Sequence, residues 1–145
     1  MLRKLVSAAL AVTGLLIGLG AFGHSFGGRK ALDAGLAGLP LDAHTDKLIY
    51  LVWYFCGGCM LIFGALVIWG AWRAARGENR ALFVPALIGM FYVLTGVLSL
   101  AYMREAFWSV FVILGGLALI FSAAIGFAPA PGNQPITSRS SAASS

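Results

Sequence analysis

None of the ten Lys and Arg or the five Asp and Glu residues falls inside any of four apolar stretches, residues 5–23, 48–72, 81–103 and 106–128. A helix needs about 20 apolar residues to cross about 30 Å of hydrocarbon, and each stretch is near that length or above it. Membrane strands are shorter and alternate in polarity, which these runs do not. Backbone polar groups in lipid must be paired within their own segment, so helices follow. The reading is an all-α membrane protein. Its transmembrane domain occupies residues 1–128 as four helices in an up-down antiparallel bundle, and residues 129–145 form a disordered cytoplasmic tail. Composition excludes the soluble alternative: at 60% hydrophobic and 10% charged, too few polar side chains exist to coat a core.

Aromatic residues mark the ends of the spans. Trp53, Trp69, Trp72 and Trp108 lie there with Tyr50, Tyr54 and Tyr102, as expected for rings that prefer the headgroup level. Tyr92 alone is deep, and its hydroxyl calls for a partner inside the bundle. With both termini on one side, that side holds Arg3, Lys4, Arg73, Arg76, Arg80 and Arg139 against Glu78. The other side holds Arg29, Lys30, Lys47 and Arg104 against Asp33, Asp42, Asp46 and Glu105, and cancels. The whole +5 therefore sits on one face, which the positive-inside rule places in the cytoplasm. A bacterial inner membrane is the expected location. The basic balance is a topology signal, and no nucleic-acid partner is implied because the bases form no soluble basic module.

The start of the chain has two readings. Arg3-Lys4, an apolar run and Ala21-Phe22-Gly23 fit a cleaved secretory signal. The length of the run and the Gly14-xxx-Gly18 face favour a retained span. In the long loop 24–47, Ala31, Leu32, Leu36 and Leu39 recur at helical spacing beside Arg29, Lys30 and Asp33, which predicts a short interfacial helix ended by Gly38 and Pro40. Asp42 is placed to cap the second membrane helix and Asn79 the third, with Pro85 near its start. Glycines within the spans supply the close helix contacts that lipid does not drive, and a compact left-handed bundle is expected.

Three constellations bear on chemistry. Cys56-Gly57-Gly58-Cys59 has thiol–disulfide spacing, but no nearby cation lowers a thiol pKa and no second pair exists for exchange. The expectation is two reduced, buried, dispensable cysteines used for packing, with a redox or metal pair as the alternative. Tyr92, Thr95, Ser99 and Tyr102 form a polar stripe on the third span. It reads as interhelical hydrogen bonding, or as a lining for a small polar or quinone-like ligand. His24 and His44 flank the long loop, with Asp42 and Asp46 beside His44. Capping and interfacial hydrogen bonds are the plain reading. A shared site for a divalent metal or a polar head group, with Tyr102 at similar height, is the functional one.

No soluble-enzyme signature is present, and no ionisable acid or base lies inside a span, which argues against proton-coupled transport. Residues 18–30, with a small-residue helix end, His24 and the Arg29-Lys30 pair, resemble the DoxX-like group of small four-helix bacterial membrane proteins. So does Gly57-Gly58-Cys59-Met60-Leu61-Ile62-Phe63-Gly64, leading to a basic turn. That resemblance implies association with quinone or thiol redox complexes, or an accessory role. The longer loop and the acid-free spans depart from the group, and no catalytic residue carries over. The expectation is an accessory or structural subunit of a membrane complex, without evident catalytic site or cofactor. Its partners are the lipid bilayer and other membrane subunits or a second copy. The alternative is a redox or cofactor-binding protein using Cys56/Cys59 or His24/His44.

Overall fold

A computed structural model describes residues 1–128; the tail expected over 129–145 lies outside them. The described chain is helical, with α1 (Leu2–Phe22), α2 (Gly28–Leu36), α3 (Ala43–Ala75), α4 (Phe83–Met103) and α5 (Ser109–Phe127). A π-helical turn, Gly23–Gly27, joins α1 to α2, and single 3-10 turns precede α4 (Asn79–Leu82) and α5 (Ala106–Trp108). Four of these helical runs are long and apolar enough to cross a membrane.

The first run does not stop at Gly23 as expected. Gly23 keeps right-handed helical geometry (φ −56°, ψ −45°), and the helix continues through the π turn to Leu36, a run of 35 residues. A small residue permits a helix end but does not impose one. The stop comes at Gly38, whose φ of +81° is left-handed, with Pro40 just beyond to prevent resumption. Residues of the expected loop therefore form a helix, α2, that continues α1.

α3 begins where Asp42 predicts. Its carboxylate accepts the His44 and Thr45 backbone N–H groups at 2.9 and 3.0 Å and the Thr45 hydroxyl. These bonds favour the charged form and hold the Asp42 pKa below its ordinary 3.8. A depressed carboxylate pKa means this cap is fully present above pH 3.8 and is lost as the pH falls through the folded-state value. Hydrogen exchange at residues 43–46 should therefore quicken relative to the middle of α3 in that acid range, and Asp42→Ala should reproduce the effect at neutral pH. α3 ends on Gly77 at φ +99°. There the Gly77 N–H bonds to Ala74 O and the Glu78 N–H to Arg73 O, at 3.0 and 3.2 Å, a Schellman ending.

Asn79 does not cap α4. The third residue of α4 is Pro85, which has no N–H for a cap to accept, and no side chain caps that end. Asn79 Oδ1 instead accepts from Arg3. Arg3 is 8% exposed; its Nε and one terminal nitrogen donate to Ala74 O at 2.9 and 2.7 Å, and its other terminal nitrogen to Ala128 O at 3.4 Å. The cation thus sits on carbonyls at the C-terminal ends of α3 and α5, where the helix dipoles are negative.

Packing is organised as two close pairs, α1 with α3 and α4 with α5, joined by α1 against α5 and a lighter α3–α4 contact. Each pair closes on glycine. A Cβ added at Gly64 would lie 2.6 Å from both Gly14 O and Gly18 N, and one at Gly115 would lie 2.5 Å from Gly89 O. Backbones touch at both crossings. Arg3 meets Ala74, Gly14 meets Gly64, Gly20 approaches Met60 and Ser25 meets Gly57, so contacts fall along α3 as they rise along α1. The core between the pairs holds Leu10, Ile17, Val67, Ile88, Tyr92 and Ile125.

The pairs differ in length. Phe63 meets Tyr92 across α3 and α4. From that level α4 continues only to Met103, whereas α3 reaches back to Ala43. The difference is about 9 residues, or about 13 Å of helix. The α1–α2 run accompanies this overhang, because Tyr50 on α3 bonds Asp33 on α2.

Candidate functional site

The overhanging end, remote from Arg3, contains the only π-helical turn among the described residues. Such turns widen a helix by one residue and often re-aim side chains at functional sites. Here the turn carries His24 and Ser25 to α3. Two glycines make room: a Cβ at Gly57 would strike Ser25 Oγ, and one at Gly28 would lie 2.7 Å from the Trp53 ring. The His24 ring stacks on Trp53, with centroids 4.0 Å apart and planes 19° apart.

His24 Nε2 lies 3.1 Å from the Trp53 carbonyl oxygen. A carbonyl only accepts, so Nε2 is the donor in this contact. Beside this stack is an open cavity of about 440 Å³ lined by His24, Leu48, Ile49, Val52, Trp53 and Cys56. Its walls are apolar. The Trp53 Nε1 donor has no partner but is itself buried away from the cavity, whereas the Cys56 residue is exposed. Open and apolar-walled, the cavity is a surface hollow of the kind an apolar side chain covers.

On the same overhang, Arg29 donates to Tyr54 Oη at 2.6 Å and lies 3.7 Å from Asp33. Tyr50 donates to Asp33 at 2.6 Å. The guanidinium lies 5.4 Å from the Tyr50 ring centroid and 5.9 Å from that of Tyr54. Two i,i+4 pairs, Arg29/Asp33 on α2 and Tyr50/Tyr54 on α3, thereby lock together. Sequence reading treated these as loop charges and belt aromatics and missed the network. The shared i,i+4 spacing was the available signal.

The expected histidine site is not assembled. His24 sits against Trp53, and His44 lies nine positions earlier on α3, about 13 Å along its axis. The Asp42 carboxylate is occupied in capping, and His44 is exposed. Among the described residues no three His, Cys, Asp or Glu side chains converge to hold a metal. Tyr102 is 88% exposed and joins no cluster with them.

The cysteines are free, but the expected burial fails: Cys56 is exposed and Cys59 only half-buried. Gly57 is the residue turned to the π-helical turn, and a 100° helical step carries Cys56 off that face. The stripe on α4 also divides. Tyr92 is 2% exposed, Thr95 and Ser99 are half-buried, and Tyr102 is turned out. Spacing of i to i+10 drifts about 80° around a helix, which accounts for the divergence. Tyr92 stacks on Phe111 at 5.4 Å and meets Phe63 edge-on, yet its hydroxyl has no partner. The hydrogen bond expected of it is not made. Tyr92→Phe should therefore leave thermal stability unchanged or raise it by up to about 1 kcal/mol, since an unpaired buried hydroxyl is removed. A melting-point loss of several degrees would show that the hydroxyl is bonded.

No family model, curated protein or solved structure matches the chain.

Proposed function

We propose that the chain is a non-catalytic accessory subunit of a membrane complex, crossing a bacterial inner membrane four times with both termini in the cytoplasm. In this reading the helices run up and down in turn, α2 lies at the water interface, and the overhang projects on the outer side. The observation that carries the proposal is the apolar cavity on that overhang. Leu48 and Ile49 line it beyond the level at which α4 ends, where the α4–α5 pair no longer accompanies α3. An apolar segment of a partner subunit would cover this surface in place of that pair. The acid-free spans and the absence of converging metal ligands among the described residues favour a binding role over a catalytic one.

A second reading has one observation in its favour. His24 lines the same cavity as the exposed Cys56, so a small cofactor that an imidazole or a thiol can ligate is the competing occupant. Purification in mild detergent followed by an absorption spectrum and metal analysis separates the two. The accessory role predicts a stable assembly larger than one chain, colourless and metal-free. A monomer carrying a chromophore or stoichiometric metal would establish the second reading instead.

A further inference from the structure

At the opposite end, α3, the 3-10 turn and α4 enclose a second open cavity of about 270 Å³, whose walls include Trp69, Arg73, Glu78, Arg80, Phe83 and Val84. With Ala81, four of the seven lining residues are apolar and three are charged. Arg73 pairs with Glu78 through one terminal nitrogen and lies over the Trp69 ring at 5.7 Å. Its Nε is buried and has no partner. Arg80 forms no ion pair with an acid among the described residues. Arg76, next to this lining, is stacked over Trp72 at 3.9 Å, which leaves Glu78 as the only carboxylate among three arginines.

We infer that this cavity is a binding site for the phosphate of an anionic phospholipid. Arg80 and the part-exposed end of the Arg73 guanidinium offer N–H donors to phosphate oxygens, a geometry that guanidinium groups suit. Glu78 limits the site by holding one Arg73 nitrogen. Trp69, Phe83 and Val84 extend the cavity along the helix sides, and Trp69 and Phe83 are exposed there. An acyl chain gains from that apolar wall, and a free phosphate ion gains nothing. The lipid is therefore the favoured source of the anion.

The test uses the full chain in detergent, with its melting midpoint followed during titration with phosphatidylglycerol, phosphatidylcholine or inorganic phosphate. Phosphatidylglycerol should raise the midpoint saturably, and phosphatidylcholine and inorganic phosphate should not. Arg80→Gln should weaken the phosphatidylglycerol effect about fivefold, matching about 1 kcal/mol for one cation at a lipid surface. Glu78→Gln should strengthen it by freeing Arg73. Because both side chains lie at the rim, both variants should fold. Equal response to the two lipids overturns the site, and so does indifference to both substitutions. Protection by inorganic phosphate alone overturns the lipid assignment.

Discussion

Gly64→Leu and Gly115→Leu should each prevent recovery of folded protein from mild detergent, whereas Gly58→Leu and Gly116→Leu on the same helices should be tolerated. At Gly64 and Gly115 even a Cβ would meet backbone atoms of the neighbouring helix at 2.6 and 2.5 Å. Backbone cannot rotate away as a side-chain end can, so the helices must separate along the whole crossing. Overpacking a soluble core costs about 1–3 kcal/mol. Separating a glycine seam also forfeits the close contacts that hold membrane helices together, so a cost of at least about 3 kcal/mol is expected. Gly58 and Gly116 have nothing within 4 Å of an added Cβ, and a larger apolar side chain there meets lipid. Thermal melts in one detergent compare the four variants. Equal loss at all four would mean that glycine serves flexibility here and not contact.

Arg3→Gln should lower stability by about 3 kcal/mol, and Arg3→Lys by less. The guanidinium serves two helix ends and Asn79 at once, and hydrogen bonds from a charged donor are worth about 1.5–3 kcal/mol each. Lysine keeps the charge against the helix dipoles but lacks the planar fork that reaches Ala74 O with two nitrogens. Denaturation midpoints of the three proteins should therefore fall in the order Arg, Lys, Gln. If Lys and Gln are equally harmless, Arg3 serves only to orient the chain during insertion.

Much of the fold was legible because lipid expels charge: the four spans follow from where Lys, Arg, Asp and Glu are absent. The start of α3 was legible because Asp42 offers a local hydrogen bond. The continuation past Gly23 was not, since glycine is compatible with both a helix end and a helix interior. Arg3 read as a topology charge because its partners are 71 and 125 positions away. The site was harder for the same reason. His24 and Trp53 are 29 positions apart, and their meeting depends on where the Gly14–Gly64 crossing sets the register of two long helices. Sequence paired His24 with His44 from their places at span ends. The longer helices move those ends apart.

The claim that the cavity beside His24 and Trp53 receives a partner subunit is tested most directly at Cys56. In Cys59→Ala protein, Cys56 is the sole thiol, and it lies exposed on the cavity wall. A maleimide-linked benzophenone attached to Cys56 in native membranes and irradiated should join it to one neighbour, giving a single product of defined mass. A chain whose only cysteine is introduced by Ile120→Cys, on an exposed face of α5, should give no such product. Quantitative labelling of Cys56 by a simple maleimide in those membranes, with no cross-linked product, would contradict the account.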